Sequence, residues 1–115
     1  MKESDGNFFG CWGGIASLQL TLSAVWTGAR MRGIEPEMIV KWMSESPGRL
    51  AGFSGQKGAI AAGYDADITI WNSNAEFRVG ESSLEHRHPL TPYNGRTLQG
   101  RVEKTLIAGE IVFGE

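Results

Sequence analysis

The 115 residues suffice for one small domain and carry a formal net charge of −2, with 11 basic and 13 acidic residues well mixed along the chain. No basic stripe offers a nucleic-acid surface, and the most apolar run, Ile15 to Trp26, is too short and too broken by Ser, Gln and Thr to cross a bilayer. A lone cysteine, Cys11, allows no internal disulfide, and the polar start Met1-Lys2-Glu3-Ser4-Asp5 has no apolar leader, so the chain reads as cytoplasmic.

Residues 1–12 read as a loop that ends in Phe8-Phe9-Gly10-Cys11-Trp12. So many large apolar residues in five positions suit a segment packed against something else, because an exposed patch of that size invites association. Gly13-Gly14 then opens a helix. Ile15, Leu18, Leu22, Val25 and Trp26 fall at helical spacing on one face, which Ala16, Leu20, Ala24 and Ala29 widen. Gly33 supplies the stop, with Arg30 and Arg32 at the end that favours cations. A second helix starts at Ile34-Glu35-Pro36-Glu37, with proline in its first turn and Met38, Ile39, Trp42 and Met43 as its apolar face. It is expected to end at Ser44–Ser46. Ser46-Pro47 reads as the start of a short third helix through Ala51, stopped by Gly52.

From Gly58 the apolar period changes from near 3.6 to 2. Turns are expected at Gly58 and Gly63, then a strand over Asp67–Trp71, a turn at Asn72–Asn74 and a second strand over Ala75–Val79. Residues 80–97 lack periodicity and contain Pro89 and Pro92. So long a loop is functional or interfacial. Gly100–Ile107 and Ile111–Phe113 form a closing hairpin. Three helices followed by four or five short strands make an α+β chain with two domains or pieces of two.

The stretch Gly58-Ala59-Ile60-Ala61-Ala62-Gly63-Tyr64-Asp65-Ala66-Asp67-Ile68 resembles the segment with which metal-dependent amidohydrolases leave their (β/α)8 barrel for a small β-sandwich. Ser46-Pro47-Gly48-Arg49-Leu50 resembles the helix that joins the two, and Val102–Phe113 the last hairpin of the sandwich. Cys11–Gln19 and Leu84–Thr97 are similar to two loops of the allantoinases within that group. The resemblance covers nearly the whole chain and implies the last barrel helices (1–54) followed by the C-terminal part of the sandwich (55–115). It further implies a parent enzyme that hydrolyses the cyclic amide of allantoin to allantoate. That enzyme would use a binuclear metal centre, expected to be zinc, with a carboxylated lysine. No residue here matches a metal ligand of that family. The resemblance therefore implies a missing N-terminal barrel portion as partner, a homo-oligomeric parent, and no catalysis by this chain alone.

His86-Arg87-His88 could chelate, but only two histidines exist and no acidic or cysteine cluster completes a site, so a structural role is favoured. Glu85, Arg87 and Arg96 suit ion pairs and backbone bonds. Asp65 and Asp67 form a carboxylate pair that could be catalytic, but the resemblance implies that they fix a turn instead. Cys11 lacks a visible base and oxyanion hole. Adjacent glycines uncover backbone groups. By the resemblance, Trp12, Gly13 and Gly14 line the substrate pocket through main-chain atoms; otherwise the glycines only permit close packing. No catalytic or metal-binding residue is assigned. A non-enzymatic remnant or interaction subunit of such an enzyme is the alternative.

Overall fold

The computed structural model describes residues 15–80, 84–86 and 90–114. A single 3-10 turn, Leu18–Leu20, leads into α1, Thr21–Arg30. A longer helical rod follows, made of α2 (Pro36–Val40), a π-turn over Lys41–Glu45 and α3 (Ser46–Leu50). Three antiparallel strands come last, β1 (Ile68–Arg78), β2 (Thr97–Ile107) and β3 (Glu110–Phe113), in the order β1-β2-β3.

The first helix begins later than its glycines suggest, since residues 15–17 are not helical. It also buries a different face. Leu20, Ser23, Trp26 and Ala29 are covered, whereas Ile15, Leu18 and Val25 are exposed. Two hydroxyls explain the rotation. Ser23 Oγ donates to the Gly100 carbonyl at 2.6 Å, and Thr27 Oγ1 accepts from the Gln99 N–H at 2.8 Å. Facing the sheet with these polar residues meets backbone groups that the sheet itself leaves open (below), a gain that apolar periodicity does not register. The helix stops at Gly33, φ +68°, and Arg32 Nη1 donates to the Gly28 carbonyl at its C-terminal end.

Pro36 occupies the first turn of α2 behind an extended Glu35, as its position in the sequence requires. The break expected at Ser44–Ser46 does not occur. Ser46 is itself helical (φ −66°, ψ −44°), and its N–H donates to the Lys41 carbonyl five residues back. Pro47 has no N–H, and its ring crowds the carbonyl four residues earlier, so the helix widens into a π-turn ahead of it instead of ending. Gly52, φ +83°, closes the rod, with the Phe53 N–H reaching back to the Gly48 carbonyl.

The two strands expected between Asp67 and Val79 are one. Asn72 pairs with Arg101 and Glu76 with Gln99, so Ser73, Asn74 and Ala75 face only Gly100. The expected turn is a wide bulge inside β1. Asn72 Oδ1 accepts from the N–H groups of Asn74 and Ala75 and holds the bulge in shape. The helix attends to both sides of the gap. Trp26 Nε1 donates to the Ser73 carbonyl at 2.8 Å, beside the Ser23 and Thr27 bonds to β2. Beyond the bulge, Gln99 Nε2 donates to Glu76 Oε1 and the ladder resumes. The hairpin between β2 and β3 is closed by Ala108 (φ +51°) and Gly109 (φ +84°), a two-residue turn with both central residues left-handed.

Two small cores result. Leu20, Val79 and Leu98 form one, with Leu84 and Tyr93 against it. Trp26, Ala29 and Ile39 form the other, with Ile34, Met43 and Trp71. Trp26 and Trp71 meet edge to face, centroids 5.5 Å apart. Among the described residues, 16 large apolar side chains are exposed against six apolar residues fully buried, so much apolar surface finds no cover.

Gly100 (φ +83°) is where the helix and bulge meet, and a Cβ there would lie 2.6 Å from Trp26 Cδ1 and 3.0 Å from Trp71. Gly100→Ala should cost about 2–5 kcal/mol, combining left-handed strain with overpacking. Gly63→Ala, at φ +86° with nothing within 4 Å of its Cβ, should cost only the backbone share of about 1–2 kcal/mol. Urea unfolding followed by tryptophan fluorescence measures both, and equal losses would contradict the packing account.

Candidate functional site

Residues Trp12, Gly13 and Gly14 lie outside the described residues, as do Phe8, Phe9, Cys11, Arg87 and His88. The structure does place what adjoins them. Gln19, just before α1, accepts the Glu85 N–H on its Oε1 at 2.9 Å. Leu84 packs on the core that contains Leu20, Val79 and Leu98. The helix entry and the late loop are 66 residues apart in sequence at this contact and still meet. The loop is held at its other end by Val79, whose N–H donates to the Arg96 carbonyl and whose carbonyl accepts from Gly95. Arg96 lies over the Tyr93 ring at 5.9 Å. Glu85 thus serves through its backbone, and Arg96 through a cation–π contact. His86 is half-buried, with Nε2 enclosed and without a hydrogen-bond partner among the described residues.

A second cluster joins the connecting loop to the sheet. Lys57 forms ion pairs with both Asp65, at 2.9 Å, and Asp67. Asp67 Oδ1 also accepts the Ala108 N–H at 2.9 Å, and the Ala66 carbonyl accepts from Gly109. Asp67 therefore fixes a turn, but the hairpin 41 residues away rather than its own. Lys57, not singled out as a partner in the sequence, holds the pair together. Two carboxylates committed to one ammonium and a backbone N–H are poorly placed for acid–base catalysis. The bond to Asp67, then that to Asp65, holds the Lys57 ammonium above the ordinary lysine range. The bond from Lys57, then that from Ala108, holds the Asp67 carboxyl below the usual range.

The loop is seated on the helical rod by two glycines. A Cβ on Gly58 (φ +89°) would come 2.8 Å from the Ser44 carbonyl oxygen, on the π-turn, and one on Gly48 would come 3.3 Å from the Lys57 carbonyl oxygen. Backbone thus crosses backbone, and the rod and loop enclose an apolar groove of about 740 Å³ floored by Ile39, Met43 and Trp71. Among the described residues no group of three or more His, Cys, Asp or Glu could hold a metal ion, and no helix is long and apolar enough to cross a membrane.

The profile of the Amidohydrolase family matches residues 4–112, so the chain belongs to that family. Within it, the chain is 45% identical over 115 residues to the allantoinase of Streptomyces avermitilis, covering all of this chain and 25% of that protein. It is 43% identical over 114 residues to the allantoinase of Arabidopsis thaliana, covering 97% of this chain and 22% of that one. The solved structure of the L-hydantoinase (dihydropyrimidinase) from Arthrobacter aurescens superposes with a TM-score of 0.80 at 30% identity, over 89% of this chain and 23% of that one. The chain therefore spans about a quarter of the length of the relatives it matches.

The ion cluster sets a pH window. Asp67 titrates lower folded than unfolded, so its contribution is present above the unfolded value of about 4 and is lost as pH falls through the lower folded value. Lys57 titrates higher folded than unfolded, so its contribution is complete below an unfolded value of about 10 and is lost as pH rises through the folded one. Asp67→Asn should flatten the acid limb of a stability-versus-pH curve while leaving the neutral plateau lower. Superimposable curve shapes would contradict the linkage.

Proposed function

We propose that this chain is the C-terminal quarter of an allantoinase, and that the intact enzyme hydrolyses the cyclic amide of allantoin to allantoate. The observation that carries this reading is 43–45% identity to two proteins named allantoinase, one plant and one bacterial, along essentially the whole chain. In the reaction, water adds to the ring carbonyl carbon, the ring C–N bond breaks, and the departing nitrogen takes the proton.

The chain's own share is structural and positional. Residues 1–54 supply the last helices of the barrel, and residues 55–115 supply strands of the sandwich. Trp12, Gly13 and Gly14 line the substrate pocket through main-chain atoms. The bond from the Glu85 N–H to Gln19, with Leu84 packed on the core that contains Leu20, supports a pocket wall braced by the late loop, since it ties the entry of α1 to that loop. Amidohydrolases are generally metal-dependent, and the expected binuclear zinc centre with its carboxylated lysine does not fit the described residues, which offer no cluster of ligands. The centre belongs to the barrel portion, so this chain alone is inactive. The parent is a cytoplasmic homo-oligomer that uses neither nucleic acid nor membrane.

The similarity to an L-hydantoinase favours a second substrate class, hydantoins and dihydropyrimidines, as the competitor to test. A full-length enzyme ending in this chain should show kcat/KM for allantoin at least tenfold above that for hydantoin or dihydrouracil. The reverse order would overturn the substrate assignment. The 115-residue chain with added zinc should give no allantoin turnover above the buffer rate, and measurable turnover would refute the assignment of catalysis to the missing portion.

A further inference from the structure

We propose that Asn94 is a modification site, converted to aspartate and isoaspartate through a ring imide closed by the Gly95 nitrogen. The fold restrains this reaction through the hydrogen bond from the Gly95 N–H to the Val79 carbonyl. The chemistry is independent of what a parent enzyme hydrolyses. The Gly95 amide gives its proton to solvent base, and its nitrogen attacks Asn94 Cγ. A C–N bond forms, the Cγ–Nδ2 bond breaks, and ammonia leaves with a proton from water. Water then opens the imide at either carbonyl. One opening gives aspartate, and the other gives isoaspartate, whose main chain runs through Cβ.

Asn94 is the asparagine of this chain that precedes a glycine; Asn72 precedes Ser73, Asn74 precedes Ala75 and Asn7 precedes Phe8. Glycine has no side chain to obstruct the attacking nitrogen. Asn94 and Gly95 are both exposed, in a turn over 92–95, so solvent base and water reach them. The two asparagines of the β1 bulge have their carboxamides engaged. Asn72 Oδ1 accepts from the N–H groups of Asn74 and Ala75, and Asn74 Oδ1 accepts from Arg30. What restrains Asn94 is backbone. The Gly95 N–H donates to the Val79 carbonyl at 2.9 Å, and the Val79 N–H donates in return to the Arg96 carbonyl at 2.9 Å. A nitrogen held in that pair cannot turn onto Asn94 Cγ until the turn opens. Such an opening is local, because the turn lies outside the ladder of β2, which begins at Thr97. Isoaspartate adds an atom to the main chain beside Gly95. It therefore displaces the paired bonds to Val79 and releases the late loop at the end they hold.

The test incubates a full-length enzyme ending in this chain at mildly alkaline pH, in native buffer and in guanidinium chloride. Peptide mapping by mass spectrometry locates the aspartate and isoaspartate formed. In guanidinium the Asn94 peptide should convert at least tenfold faster than the peptides of Asn72 and Asn74. In native buffer conversion at Asn94 should be slower. The slowing should match, to within a few-fold, the protection of the Gly95 N–H in amide hydrogen exchange, because both reactions need the same nitrogen released. Asn94→Gln, at an exposed position, should keep the circular dichroism and lose the product, because glutamine must close a larger ring. Asn72 or Asn74 reacting as fast as Asn94 in guanidinium overturns the site. Native conversion as fast as in guanidinium, or slowed by a factor unlike the Gly95 protection, overturns the restraint by the Val79 bond.

Discussion

A strand that bulges away from its neighbour leaves backbone groups on that neighbour without partners, and an interior cannot leave them so. Here β1 departs from β2 over Ser73–Ala75, opposite Gly100. The helix α1 completes the ladder from outside the sheet. Thr27 accepts the Gln99 N–H, Ser23 donates to the Gly100 carbonyl, and Trp26 donates to Ser73 on the bulge itself. Three side chains within five residues of one helix thus do the work of a missing stretch of strand. The position of α1, the covering of Trp26 by Trp71 and the need for glycine at 100 all follow from this joint.

The joint also makes one scaffold of two kinds of structure. Its second fastening lies at the other end of the sheet, where Lys57, Asp65 and Asp67 bind the connecting loop to the β2–β3 turn. The Ala108 N–H, in a residue held at φ +51°, is met by Asp67. Between the two fastenings the chain has little core, and much of its apolar surface faces outward. That imbalance agrees with a chain spanning about a quarter of its relatives.

Local chemistry was legible where a single residue decides the backbone. Pro36 opens its helix, and Gly33, Gly52, Gly58 and Gly63 all take positive φ. The closing hairpin was equally plain. What escaped the sequence were decisions made at long range. Ser23 and Thr27, four apart in an otherwise apolar helix, mark the true buried face, but only the partner strand shows why. Asn72-Ser73-Asn74 has the composition of a turn and forms a bulge because β2 runs past on one side and α1 on the other. Ser46-Pro47 has the look of a helix start, yet the helix absorbs the proline by widening. Of the site, the two distant loop motifs were visible as a resemblance, and their contact through Gln19 and Glu85 was not.

The joint between helix and sheet depends on α1 substituting for strand pairing at the bulge. Amide hydrogen exchange at Gln99 reads this directly, in a full-length enzyme ending in this chain. The Gln99 N–H should be protected in the parent sequence. Thr27→Val keeps the side-chain shape and removes the acceptor, and should cost about 1–3 kcal/mol of local protection there, roughly a tenfold to hundredfold faster exchange. Amides of the β2–β3 ladder should be much less affected. Equal exchange at Gln99 in both proteins, or an unprotected Gln99 in the parent, would contradict the claim that the helix completes the sheet.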